Sequence, residues 1–196
     1  MARSKQTKEE LILSVAKELF WKHGFKRVSV EEICMKAGIS KMTFYRFFPN
    51  KIELAKTVFE NVMNEGNAKF HKIINDKTSA EIKMKNLLLL KLEGTNEISK
   101  EFLKDFYSSN ESGLLEFIQV KTNEAWQSII KDFRKAQKKG IFRKDFKPEI
   151  LLFIAQKITD IFNDPEVVKL YKNPQDVIME VSNLFIYGIS PRKKSK

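Results

Sequence analysis

In the stretch SVEEICMKAGISKMTFYRFFPNKIE, three side chains that cap helices, Ser29, Ser40 and Asn50, follow one another at short intervals. A cap ends one helix and starts the next, because its side-chain oxygen accepts an amide of the new first turn while its own backbone is extended. Only short helices fit between such stops. Ser29, with Glu32 three residues on, heads one helix that ends at Ala37 and Gly38, where glycine takes a left-handed backbone at low cost. Ser40 opens a second, which Pro49 breaks, and Asn50 with Glu53 opens a third. Two short helices joined by a glycine-containing turn of this length describe a helix-turn-helix, whose second helix lies in the major groove of DNA.

The second helix is two-sided. At about 100° per residue, Phe44, Phe47 and Phe48 share one face, Met42 and Arg46 point the opposite way, Lys41 and Tyr45 lie on one flank and Thr43 on the other. The aromatic face has apolar stripes to dock on: Leu11, Val15, Leu19 and Phe20 from the preceding helix, and Val30, Ile33 and Cys34 from the first of the pair. The polar face is left free.

The remainder of the chain also reads as helix. With seven glycines and five prolines in 196 residues, and apolar positions recurring every three or four, the fold class is all-α. A capping box at Thr7 and Glu10 starts the first helix, which ends near Gly24. A second box, TSAE at residues 78–81, opens a helix running to about Leu92, and a shorter one lies in ISKEFLKDFYSS. A long helix spans about 113–139 and closes at Gly140. Pro148 starts a helix to Phe162 that is apolar on most faces, so its predicted place is central. Asn163, Asp164 and Pro165 interrupt it, and Asn173 with Pro174 caps a final helix to Gly188 with Val177, Val181, Leu184 and Phe185 on one stripe. The tail, SPRKKSK, is polar and basic.

Charge narrows the choice of partner. Lys and Arg total 36 against 25 Asp and Glu, a net charge of +11 that favours nucleic acid or an anionic membrane surface. No apolar run is long enough to span a bilayer, the first residues lack a secretory h-region, and the single Cys34 fits a reducing compartment, so the expected location is cytoplasmic. His23 and His71 have no Cys or carboxylate at metal-ligand spacing, and no glycine-rich phosphate loop occurs. The expectation is a protein that is not an enzyme and holds no metal or cofactor. A competing reading takes the sixteen phenylalanines and the RKKSK tail as an adaptor for an anionic membrane or a partner protein, although the basic residues are spread along the chain.

Residues 8–55 resemble the DNA-binding domain of the tetracycline-repressor (TetR/AcrR) family, through LF, HGF, VSVEEI and AGISKMTFYRFFPNKIELA. The resemblance implies a helix-turn-helix domain over 1–55 and a helical effector-binding and dimerisation domain over 56–189; composition sets off the basic tail over 190–196. Carried onto this sequence, it makes Ser29, Lys41, Thr43, Tyr45 and Lys51 DNA contacts, with Tyr45 and Lys51 on phosphates and Lys41, Met42 and Thr43 near base edges. Ser40 and Arg46 complete the reading helix, and Arg3 and Lys5 precede the first helix where a phosphate or groove is in reach. Met42 departs from the small residue common in the family, so readout there is apolar, as with a thymine methyl.

The resemblance also implies a homodimer on a double-stranded, pseudo-palindromic operator. Its shared surface is the last two long helices, with Val177, Val181, Leu184 and Phe185 as candidates. An effector pocket among the central helices has Phe102, Phe106, Tyr107, Phe117, Trp126, Ile130 and Phe153 as candidate lining, suited to an apolar or aromatic molecule. The implied function is a ligand-responsive transcriptional regulator, a repressor.

Overall fold

A computed structural model of the chain describes residues 6–107 and 113–191, with the side chains of 106, 107, 155, 156, 158–160, 162, 163 and 168 left aside. Among the described residues the chain is helical throughout, as α1 (Lys8–His23), α2 (Val30–Ala37), α3 (Lys41–Phe47), α4 (Lys51–Asn75), α5 (Ala80–Gly94), α6 (Lys100–Tyr107), α7 (Leu114–Lys138), α8 (Glu149–Asn163), α9 (Pro165–Leu170) and α10 (Pro174–Ile189). It forms two compact units, Met1–Val62 with Glu97–Gln119, and Met63–Asn96 with Val120–Lys196. Arg3, Lys5 and most of the basic tail lie outside the described residues.

The first unit forms where its caps dictate. Thr7 and Glu10 exchange both bonds of the capping box at 3.1 and 2.8 Å, Ser29 accepts from Glu32 at 3.1 Å, Ser40 from Thr43 at 3.2 Å, and Asn50 from Glu53 at 2.9 Å. Ile12, Ala16, Phe20, Ile33, Phe44 and Leu54 are buried in its core, and α2 packs on both α1 and α3. The helix α6 returns to this unit and packs on α1.

In the second unit Ile74, Met84, Leu87, Phe133, Ala136, Phe142, Leu151 and Ile189 form the core, with Phe70, Trp126 and Phe146 packed against it. The Phe133 and Phe142 rings stand 4.6 Å apart. Gln137 fastens the turn after α7 by donating to the carbonyl oxygens of Arg143 and Phe146 at 3.0 and 2.9 Å. Lys83 is buried and donates to the carbonyls of Ile73 and Asp76 and to the Asp76 carboxylate, which neutralises the C-terminal end of α4.

Two sequence expectations change. The cap of α5 is Ser79, accepting from Ile82 at 3.3 Å, and not the Thr78 of the expected box. Thr78 is instead held by the Asp76 carboxylate through both its amide and its hydroxyl, so a local side-chain turn outcompetes the cap. The apolar helix α8 is not central on all sides: Leu151 is buried, while Ile150 and Phe153 are exposed. Composition shows how much apolar surface a helix carries, not which part its own chain covers. The interruption at Asp164 also carries a helix of its own, α9, capped by Asp164 with Pro165 in its first turn.

Candidate nucleic-acid interface

The turn between α2 and α3 is tight. Gly38 takes φ +62°, in the left-handed region, and the Ile39 amide returns to the Cys34 carbonyl at 3.0 Å, which closes α2 and turns the chain within two residues. Ser40 then caps α3 and its hydroxyl also meets that of Thr43 at 3.0 Å. Both hydroxyls are therefore already engaged in holding the first turn.

The two faces of α3 separate as its sequence requires. Phe44 and Phe48 are buried, Phe47 is half-buried, and Met42 is 84% and Tyr45 53% exposed. Lys41 and Arg46 are exposed. The Tyr45 ring stands edge-on to Phe44 at 5.3 Å, and the Arg46 guanidinium lies 5.3 Å from the Phe47 ring. An anchored aromatic face thus fixes the direction in which Met42, Tyr45 and Arg46 project. Cys34 is buried, and that burial pushes its thiol pKa up, as for a small core residue.

Two site residues have partners that spacing did not show. Lys41 forms an ion pair with Glu31 of α2; the hydrogen bond to Glu31 raises the Lys41 pKa, and the same bond lowers that of Glu31. Both groups are exposed, so the pair is weak in water and exchangeable for a phosphate or base. Lys51 is turned into the domain. Its ammonium donates to the carbonyl oxygens of Phe25 and Val28 at 2.9 Å and of Lys26 at 3.3 Å, and sits 4.4 Å from the centre of the Phe25 ring. It fastens the loop between α1 and α2. The only sequence signal for Glu31 was its place in SVEE, read as part of a cap.

The remaining candidates are spread over both units. Phe102 is buried in the first unit with its ring 4.2 Å from that of Trp21, and the half-buried Phe117 has the Lys56 ammonium 5.8 Å from its ring. In the second unit Trp126 is half-buried against the core, Ile130 is buried and Phe153 is 62% exposed. The side chains of Phe106 and Tyr107 lie outside the described residues. On α10, Val177 is buried, Val181 and Phe185 are half-buried, and Leu184 and Tyr187 are 67% and 69% exposed. No helix among the described residues is long and apolar enough to cross a membrane.

Comparison with known proteins points the same way. Residues 12–58 match the family described as bacterial regulatory proteins, tetR family. The chain is 35% identical over 74 residues to the HTH-type transcriptional regulator YuxN of Bacillus subtilis, covering 38% of this chain and 24% of that one. It is 32% identical over 82 residues to the dhaKLM operon transcriptional activator DhaS of Lactococcus lactis, covering 42% and 40%. The matched stretches thus span less than half the length of these two relatives. A solved transcriptional regulator of the same family from Aquifex aeolicus is 25% identical, covers 92% of this chain and 98% of its own, and superposes with a TM-score of 0.63. The matched segment falls on the capped helices α1 to α4, so residues 12–58 are similar to the tetR family of bacterial regulatory proteins, and the chain shares the helical fold of the Aquifex regulator along nearly its whole length.

Proposed function

We propose that the chain is a cytoplasmic repressor that binds a pseudo-palindromic operator as a homodimer and is modulated by a small apolar or aromatic effector. The observation that carries the DNA-binding part is the opposition on α3 of buried Phe44 and exposed Met42, Tyr45 and Arg46. Met42 approaches a thymine methyl, Lys41 and Thr43 lie near base edges, and Tyr45 and Arg46 take phosphates. Ser29 and Ser40 act as caps beside the DNA backbone, and Arg3 and Lys5 extend the contact ahead of α1. The net charge of +11 supplies long-range attraction.

Dimerisation is supported by the apolar surface that α8 and α10 leave uncovered, Ile150, Phe153, Leu184 and Tyr187. Val177 faces its own chain and is a core residue. Two reading heads are needed because one module offers few base contacts, and a two-fold axis matches a pseudo-palindrome. An effector acts by binding one state of the dimer more tightly than the other.

The test is capture of genomic fragments by the purified protein, footprinting of the retained DNA, and a reporter driven from the retained promoter. Salt-dependent retention of specific duplexes and reporter output that falls with the protein present support a repressor. Output that rises makes it an activator, and retention on anionic vesicles but on no duplex restores the adaptor reading.

A further inference from the structure

The loop between α1 and α2 is gripped from a second side. The Asp105 carboxylate of α6, buried, accepts the backbone N–H of Lys26 at 2.8 Å. A methyl group at Gly24 would stand 2.6 Å from the same oxygen and 3.0 Å from Glu101 Cβ, and Gly24 holds φ +81°. Glycine there is what lets α6 approach. The start of α6 is tied to the end of α1 by the amide of Ser99, one residue before α6, on the Trp21 carbonyl at 2.9 Å and by the Phe102 ring on Trp21.

Lys26 is therefore pinned through both sides of its backbone: its N–H goes to the carboxylate of α6 and its C=O to the Lys51 ammonium of α4. The loop leads directly into the Ser29 cap of α2, which packs on α3. We infer that Asp105 is a positioning residue for DNA reading: it touches no nucleic acid, and holds the 24–28 loop so that α2 and α3 present the reading face in one orientation. This rests on the proposed DNA-binding role. Releasing the loop lowers the fraction of molecules in the binding-competent state, and the apparent Kd rises by the inverse of that fraction. The number of phosphate contacts does not change, so the dependence of binding on salt does not change either.

The experiment is fluorescence anisotropy on an operator duplex recovered by genomic-fragment capture, with hydrogen exchange read at the Lys26 amide. Asp105→Ala is expected to raise Kd about tenfold, the scale of one lost hydrogen bond to a charged group, with an unchanged salt slope and faster Lys26 exchange. Asp105→Asn keeps an oxygen within reach of the amide and is expected to restore both. Asp105→Ala binding at the wild-type Kd while Lys26 exchanges faster overturns the inference, as does a salt slope reduced by one contact. Should Asp105→Ala not fold, wild type decides: adding the duplex is expected to slow Lys26 exchange, and unchanged exchange overturns it. A wild type that retains no duplex overturns the DNA-binding reading and this inference together, whereas a binding wild type with an indifferent Asp105→Ala overturns the inference alone.

Discussion

The Lys51 ammonium donates to the Val28 carbonyl oxygen at 2.9 Å, one residue before the cap of α2. A cation placed to hold a phosphate on the family pattern thus fastens its own domain, and the two roles make opposite predictions. Lys51→Met is expected to destabilise the domain by about 1–3 kcal/mol, since it leaves carbonyl acceptors without their donor, and to weaken operator binding with no change in salt slope. A slope lower by roughly one unit, at wild-type stability in thermal melts, assigns Lys51 to a phosphate instead.

Met42 is exposed to solvent, on the side of α3 opposite the buried Phe44. Met42→Ala is expected to leave the melting temperature unchanged and to alter preference at one thymine-bearing position by about 1 kcal/mol. A panel of single-base operator variants measures this, and identical ratios for both proteins remove Met42 from sequence reading.

Glu31 forms an ion pair with Lys41 of α3 and places a negative charge beside it. Glu31→Gln is expected to tighten operator binding on the order of twofold to fivefold, the range for an exposed pair, with a steeper salt dependence because Lys41 is released to the DNA. Looser binding would make the pair part of the reading geometry.

Leu184 and Val177 stand on the same helix with opposite burial. Leu184→Glu is expected to give a helical monomer with much weaker operator binding, because the single chain leaves that side chain in water. Val177→Glu is expected to unfold the second unit, as a buried unpaired charge does. Circular dichroism and sedimentation separate the outcomes, and a dimeric Leu184→Glu places the shared surface elsewhere.

Asp76 is held to a pKa of about 2 from an ordinary 3.8, first by the hydrogen bond from Lys83 and then by Thr78. The folded value lies below the unfolded one, so its stabilisation is complete above 3.8 and is lost as pH falls through about 2. Melting of the second unit is expected to drop over that window in wild type and to vary less in Asp76→Asn. Parallel curves would mean that Asp76 does not report the Lys83 bond.

The helices of the first unit were legible from sequence alone because the signals that start them are local. Thr7 with Glu10, Ser29 with Glu32, Ser40 with Thr43 and Asn50 with Glu53 each close a bond over three residues, which no distant partner has to complete. The opposition of Phe44 to Met42 follows from helical spacing in the same way. Tertiary structure decided what spacing leaves open. Lys26 meets Asp105 across 79 residues and Lys51 meets Phe25 across 26, bonds that exist only once α4 and α6 have packed on the loop. Thr78 lost its cap to an Asp76 that also answers to buried Lys83. For α8 the apolar pattern showed a helix with surface to cover, and only packing determined that Leu151 is covered while Phe153 is left in water, because burial depends on what stands opposite a side chain and not on the side chain itself.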